Sequence, residues 1–217
     1  MMSTANPRYA LIFITSITIF LLACDSDDSN PSQPILPPAA ILPLEVGNTW
    51  KYEYSKLIVT YLGSTNISGE AILEALSKQG DIYSMQFRIF VKDTLYSANS
   101  FRVSNVDGRI FRHESNSRYC VYSPMPSECT INLIMGWKVE PSLYSYLRTS
   151  TVDTVTVSNT NYLNCVKSHY YSRSSVNERE THEYFANNVG LVKFDVAAMT
   201  SFGGYAEWYY LKEYDLK

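Results

Sequence analysis

Three histidines, His113, His169 and His182, are the residues of this chain best suited to acid–base or metal chemistry. His182 lies two positions from Glu180 and two from Tyr184, and residues two apart in a strand share a face. An imidazole beside a carboxylate is half of a metal site, or an acid–base pair. The plainer reading is a solvated strand face, because Glu178, Arg179, Glu180 and Glu183 surround the histidine with charge. His113 precedes Glu114 near the end of a hairpin, a surface setting, and His169 has no carboxylate near it in sequence. No serine sits in a Gly-x-Ser-x-Gly elbow, no glycine-rich loop follows a strand, and no Cys-x-x-Cys pair is present. The expectation is a protein without catalysis, without a metal site and without a cofactor.

The N-terminus has a more specific chemistry. Arg8 is the only charged side chain before Cys24, and Tyr9 to Ala23 is apolar apart from Thr15, Ser16 and Thr18. That run is too short for a comfortable span of about 20 residues and reads as the core of a secretory signal. Leu21-Leu22-Ala23-Cys24 resembles the lipobox of bacterial lipoproteins, with Leu22 where a small or β-branched residue is more usual. The resemblance implies removal of residues 1–23 and acylation of Cys24, with palmitate among the chains. Each buried methylene contributes ~0.8 kcal/mol, so several chains together hold a protein at a bilayer.

Residues 24–43 then read as a tether. Asp25, Asp27 and Asp28 make its start acidic, and Pro31, Pro34, Pro37, Pro38 and Pro43 keep it extended. The acidic cluster after Cys24 resembles a surface-export signal of some Gram-negative lineages. Asp25 alone resembles an inner-membrane retention residue of others. Three acids within four residues favour the outer membrane, in its periplasmic or surface-facing leaflet. An oxidising compartment permits disulfides. Cys120 and Cys129 flank the turn-like Ser123-Pro124-Met125-Pro126-Ser127, so a bridge across a hairpin base is one pairing, with Cys165 a small buried thiol on a strand. A bridge from either one to Cys165 is the other.

The elements that must position these residues are strands. Charge excludes a nucleic-acid binder working by bulk attraction: 18 Lys and Arg against 21 Asp and Glu leave a net charge of −3. With 46% hydrophobic and 18% charged residues the chain is not disordered, and 18 Tyr with 9 Phe lean it toward β structure. Trp50, Tyr52 and Tyr54 share one face, while Leu57, Val59 and Tyr61 continue on the other parity, which predicts a bulge near Ser55-Lys56. Tyr83, Met85, Phe87, Ile89 and Val91 form the cleanest alternating face. Phe101 and Val103 lead into the hairpin signal Asp107-Gly108, and Ile110 to His113 returns. Tyr119–Tyr122, Thr130–Ile134, Val152–Val157, Asn164–Tyr171, Thr181–Ala186, Gly190–Val196 and Tyr205–Tyr214 complete about ten strands. Glu70 to Lys78 is open between helix and strand, with a lean to strand, and Pro141 to Leu147 allows a helical turn.

The predicted class is mainly β: a curved antiparallel sheet, half-barrel, barrel-like or sandwich, with at most one or two short helices, formed by a single domain over residues 44–217. Leu42 to Tyr52, and Tyr184-Phe185-Ala186 followed by Val189-Gly190-Leu191-Val192-Lys193, resemble secreted bacterial lipoproteins of unknown function. That resemblance implies a curved sheet similar in broad shape to the periplasmic lipoprotein carriers, which wrap a half-barrel around an apolar cavity. It supplies no catalytic residues. The function expected is a lipid-anchored envelope module that holds a lipid or other apolar or amphipathic ligand in a sheet concavity. Trp50, Trp208 and Tyr210 are the candidate contacts, although Trp50 also reads as a core anchor. The alternative is an interaction lipoprotein that docks another envelope protein through its aromatic surface or a sheet edge. In either case the partners are a membrane, a ligand or a protein, and not nucleic acid.

Overall fold

The computed structural model describes residues 41–106, 109–114, 117–122 and 144–217, with side chains described for 41–106, 109–113 and 150–217. Residues 1–40 with Cys24, the loop holding Cys129, the expected strand over 130–134 and the side chain of Cys120 lie outside the described residues. The lipidation and the Cys120–Cys129 bridge therefore stay with the sequence.

Among the described residues, period-two alternation becomes eleven strands: β1 (Thr49–Thr60), β2 (Gly63–Gln79), β3 (Ile82–Val91), β4 (Thr94–Val106), β5 (Arg109–Glu114), β6 (Ser117–Tyr122), β7 (Tyr144–Val157), β8 (Thr160–Arg173), β9 (Asn177–Ala186), β10 (Gly190–Thr200) and β11 (Gly203–Asp215). They form one sheet in the order β6-β5-β4-β3-β2-β1-β11-β10-β9-β8-β7. Two meanders run outward from a central seam where β1 pairs antiparallel with β11. The sheet is antiparallel and curved, and it does not close into a barrel, since β6 and β7 are its edges among the described residues. Its inner face holds one continuous core, drawn from strands on both sides of the seam and including Trp50, Tyr52, Leu73, Met85, Phe194 and Leu211.

Glu70 to Lys78 is strand. It lies in β2 and alternates burial, with Ala71, Leu73 and Ala75 inward. Of the stretch Pro141 to Leu147, Tyr144 to Leu147 belongs to β7 and residues 141–143 lie outside the described residues. The bulge expected at Ser55-Lys56 is absent: β1 pairs with β2 without interruption, and the irregularity against β11 falls between Lys51 and Tyr52, opposite an extra Lys212. Lys56 stays on the inner face, in an ion pair with Glu207 at 2.7 Å. An inward lysine with a partner looks, in sequence, like a change of parity.

Two neighbouring hairpins use the same turn. Thr60 Oγ1 donates to Gly63 O and accepts from Leu62 N, and Thr200 Oγ1 donates to Gly203 O and accepts from Phe202 N. Because Thr60 pairs with both Gly63 and Gly203, the two tips stand side by side. They present Tyr61, Leu62 and Phe202, each more than 80% exposed.

Candidate functional site

On the outer face of β8, β9 and β10, register brings four titratable side chains together. His169 pairs with His182 across β8–β9, and His182 pairs with Asp195 across β9–β10. Glu180, two residues before His182, points the same way. Its Oε1 lies 2.8 Å from His169 Nε2 and 3.4 Å from His182 Nε2. His182 Nδ1 is 2.8 Å from Asp195 Oδ2. The two imidazole rings are 4.3 Å apart, tilted by 37°. Hydrogen bonds from His169 and then His182 hold the Glu180 carboxyl well below the carboxylate range, against the pull of burial. Burial pulls His182 down, but its bonds to Asp195 and Glu180 outweigh that and raise it.

The predicted shared face of Glu180, His182 and Tyr184 is present. The solvated setting is not, since both imidazoles are only 18% exposed. Sequence reading left His169 outside this group. The signal was the turn at 174–177: Arg173 pairs with Glu178, and counting back four positions on β8 and forward four on β9 sets His169 opposite His182. His113 is half-buried rather than at the surface, its Nε2 2.7 Å from the Oγ of the buried Ser104.

A cleft of about 440 Å³ lies at one end of the core. Leu42, Pro43, Leu44 and Tyr83 form its apolar side, and the polar residues Glu45, Asn48, Lys78, Asp81, Asn105 and Lys217 make up the rest. Asn48 fixes the segment that forms one wall. Its Nδ2 donates to Pro43 O, its Oδ1 accepts from Lys217 N, and its backbone bonds Glu45 and Ala75. Lys78 sits 4.9 Å over the Tyr83 ring. The volume is within the range of small-molecule pockets, and mixed walls of this kind suit a ligand with one apolar and one polar end.

The middle of the inner face is closed by the chain's own aromatics. Phe194 and Tyr209 stack at 3.9 Å, with Tyr52, Tyr54 and Phe87 around them. Burial pushes the Tyr54 and Tyr209 hydroxyls well above the usual tyrosine range. The hydroxyls of Tyr54, Ser168 and Thr181 are buried with no hydrogen-bond partner among the described residues.

The three candidate ligand contacts are not brought together. Trp50 is in the core, fully buried, and donates from Nε1 to Val189 O at 2.6 Å. That is the anchor reading. Trp208 and Tyr210 are half-buried on the outer face, where Trp208 pairs with Asp195 and Tyr210 with Lys193. Lys193 Nζ lies over both Tyr184 and Tyr210, at 5.0 and 5.6 Å. Cys165 is a buried free thiol, raised to about 11 by burial.

No family model matches the chain, and no curated protein matches it. Three solved structures are similar. A Bacteroides fragilis protein described as exported, with a YmcC-like fold, is 8% identical with TM-score 0.44, covering 81% of this chain and 98% of its own. A Parabacteroides distasonis protein described as a lipoprotein is 10% identical with TM-score 0.42 and the same coverage. A Vibrio parahaemolyticus domain described as an outer membrane lipoprotein-sorting protein is 10% identical with TM-score 0.25, covering 79% of this chain and 86% of that one. Likeness at this level carries no argument about what this chain does.

Proposed function

We propose that this chain is a lipid-anchored binding module of the cell envelope that holds one small amphipathic ligand in the cleft at the end of its core, without catalysis. The cleft carries the reading: it has ligand size, an apolar patch at Leu44 and Tyr83 within a mostly polar lining, and charges of both signs. The wall segment is pinned by Asn48, so the cleft exists before a ligand arrives and little ordering entropy opposes binding. Anchoring rests on Leu21-Leu22-Ala23-Cys24, and the outer membrane on the acids that follow. The tether would let the cleft stand off the bilayer by tens of ångströms, at roughly 3 Å per extended residue.

A second reading is docking to another envelope protein. The adjacent tips with Tyr61, Leu62 and Phe202 favour it, because paired exposed apolar tips form a ready contact surface.

Photo-crosslinking separates the two. The full protein in phosphatidylcholine liposomes is irradiated with a diazirine-bearing lysophosphatidylcholine, and the adducts are mapped by mass spectrometry. The cleft reading expects label on residues 42–45 or Tyr83, lost in Leu44→Asp. Label confined to the hairpin tips would overturn it.

A further inference from the structure

We propose that His169, Glu180 and His182 form a binding site for one divalent transition-metal ion of the zinc class, with Asp195 orienting His182. The site is on the outer face of the sheet, on the side opposite the core, and is independent of the cleft.

The geometry is that of convergent ligands. One donor atom from each of the three residues falls within 4.8 Å of the other two. Zinc bonds of about 2.0–2.2 Å place neighbouring tetrahedral ligands about 3.3–3.5 Å apart. Glu180 Oε1 and His182 Nε2 already stand at 3.4 Å. His169 Nε2 and Glu180 Oε1, at 2.8 Å, share a hydrogen bond and need to part by about half an ångström to admit the ion. A metal would replace the proton held between them.

The supporting contact is also of the right kind. His182 Nδ1 lies 2.8 Å from Asp195 Oδ2, a carboxylate that would keep the proton on Nδ1 while Nε2 releases its own proton to bind the ion. The strands set ligand positions by register, without a flexible loop. Glu180, with 35% of its side chain exposed, leaves a path from solvent, and the three-ligand set leaves a fourth position for water or another donor. Two imidazoles and one carboxylate favour zinc, copper, nickel or cobalt over calcium or magnesium, which prefer all-oxygen shells.

The test is calorimetric titration of Zn²⁺ into the full protein in detergent at neutral pH. One equivalent should bind saturably. His182→Ala and Glu180→Gln should each weaken it by at least tenfold, and Asp195→Asn by about 10–100-fold. Calcium should give no saturable heat. Circular dichroism of each variant in EDTA reports whether the sheet is kept. If a variant does not fold, the Co²⁺ spectrum of the unaltered protein decides. Intense tetrahedral visible bands support the site, and the weak bands of the aquo ion overturn it. Absence of saturable Zn²⁺ binding, or affinity unchanged in folded His169→Ala/His182→Ala, also overturns it.

Discussion

Trp50 and Gly190 share one space. A Cβ built on Gly190 would stand 3.0 Å from Trp50 Nε1, and the glycine has φ +100°, a conformation that other residues rarely adopt. The indole nitrogen meanwhile bonds Val189 O, one residue earlier. The first strand is thus fastened to the β9–β10 turn by an aromatic ring packed closely against Gly190, which has no Cβ to crowd it. Tyr52 repeats the link one step on, donating its hydroxyl to Leu191 O at 2.9 Å.

Gly190→Ala should destabilise the fold by about 2–3 kcal/mol, from backbone strain together with the contact. Trp50→Phe keeps most of the ring but leaves the Val189 carbonyl unpaired, at a cost of about 1–3 kcal/mol. Urea unfolding of each variant checks both. A Gly190→Ala midpoint equal to the parent would contradict the packing described.

The Lys56–Glu207 pair should behave as a half-buried unit. Each side chain is 17% exposed, Glu207 also accepts from Tyr209 at 3.0 Å, and Lys56 lies 4.7 Å over Tyr205. Glu207→Gln strands the ammonium and should cost about 1–2 kcal/mol, less than a fully buried pair because water still reaches it. Lys56→Met with Glu207→Gln should cost less than the sum of the two singles. Additivity within about 0.5 kcal/mol in a double-mutant cycle would show no coupling.

Several features were legible before any coordinates, and their limits are physical. The aromatic alternation in Trp50-Tyr52-Tyr54 and Tyr83 to Val91 survived because one face is buried at Trp50, Tyr52 and Tyr54 and at Met85, Phe87 and Ile89. Glu70 to Lys78 was ambiguous because Ala, Leu and Glu favour helix locally, while pairing on both sides decides for strand. Lys56 misled because an inward charge breaks the apolar pattern without breaking the strand. The histidine cluster was half visible: residues on one strand declare a shared face, but His169 joins only through cross-strand register. The cleft was invisible, since its walls come from positions as distant as Leu42 and Tyr83.

In metal-free protein, the outer cluster should make stability depend on pH. Glu180 is depressed by its imidazole partners, so its contribution is present above the ordinary 4.5 and is lost as pH falls through the folded value. His182 is raised, so its contribution is complete below 6.5 and is lost as pH rises through the folded value. Both act together between about 4.5 and 6.5. The stability difference between the parent and His182→Gln, measured in EDTA, should peak in that window and shrink on either side. A difference that does not shrink as pH rises above 6.5, through the His182 transition, would contradict the pairing.

The central claim is that the cleft beside Leu44 and Tyr83 holds an amphipathic ligand. Native mass spectrometry of the full protein, extracted gently from envelope membranes, tests it most directly. The account predicts one noncovalent amphiphile beyond the mass of the covalently modified chain, absent from Leu44→Asp. A bare modified chain in every charge state, under conditions that keep known lipid complexes intact, would contradict it.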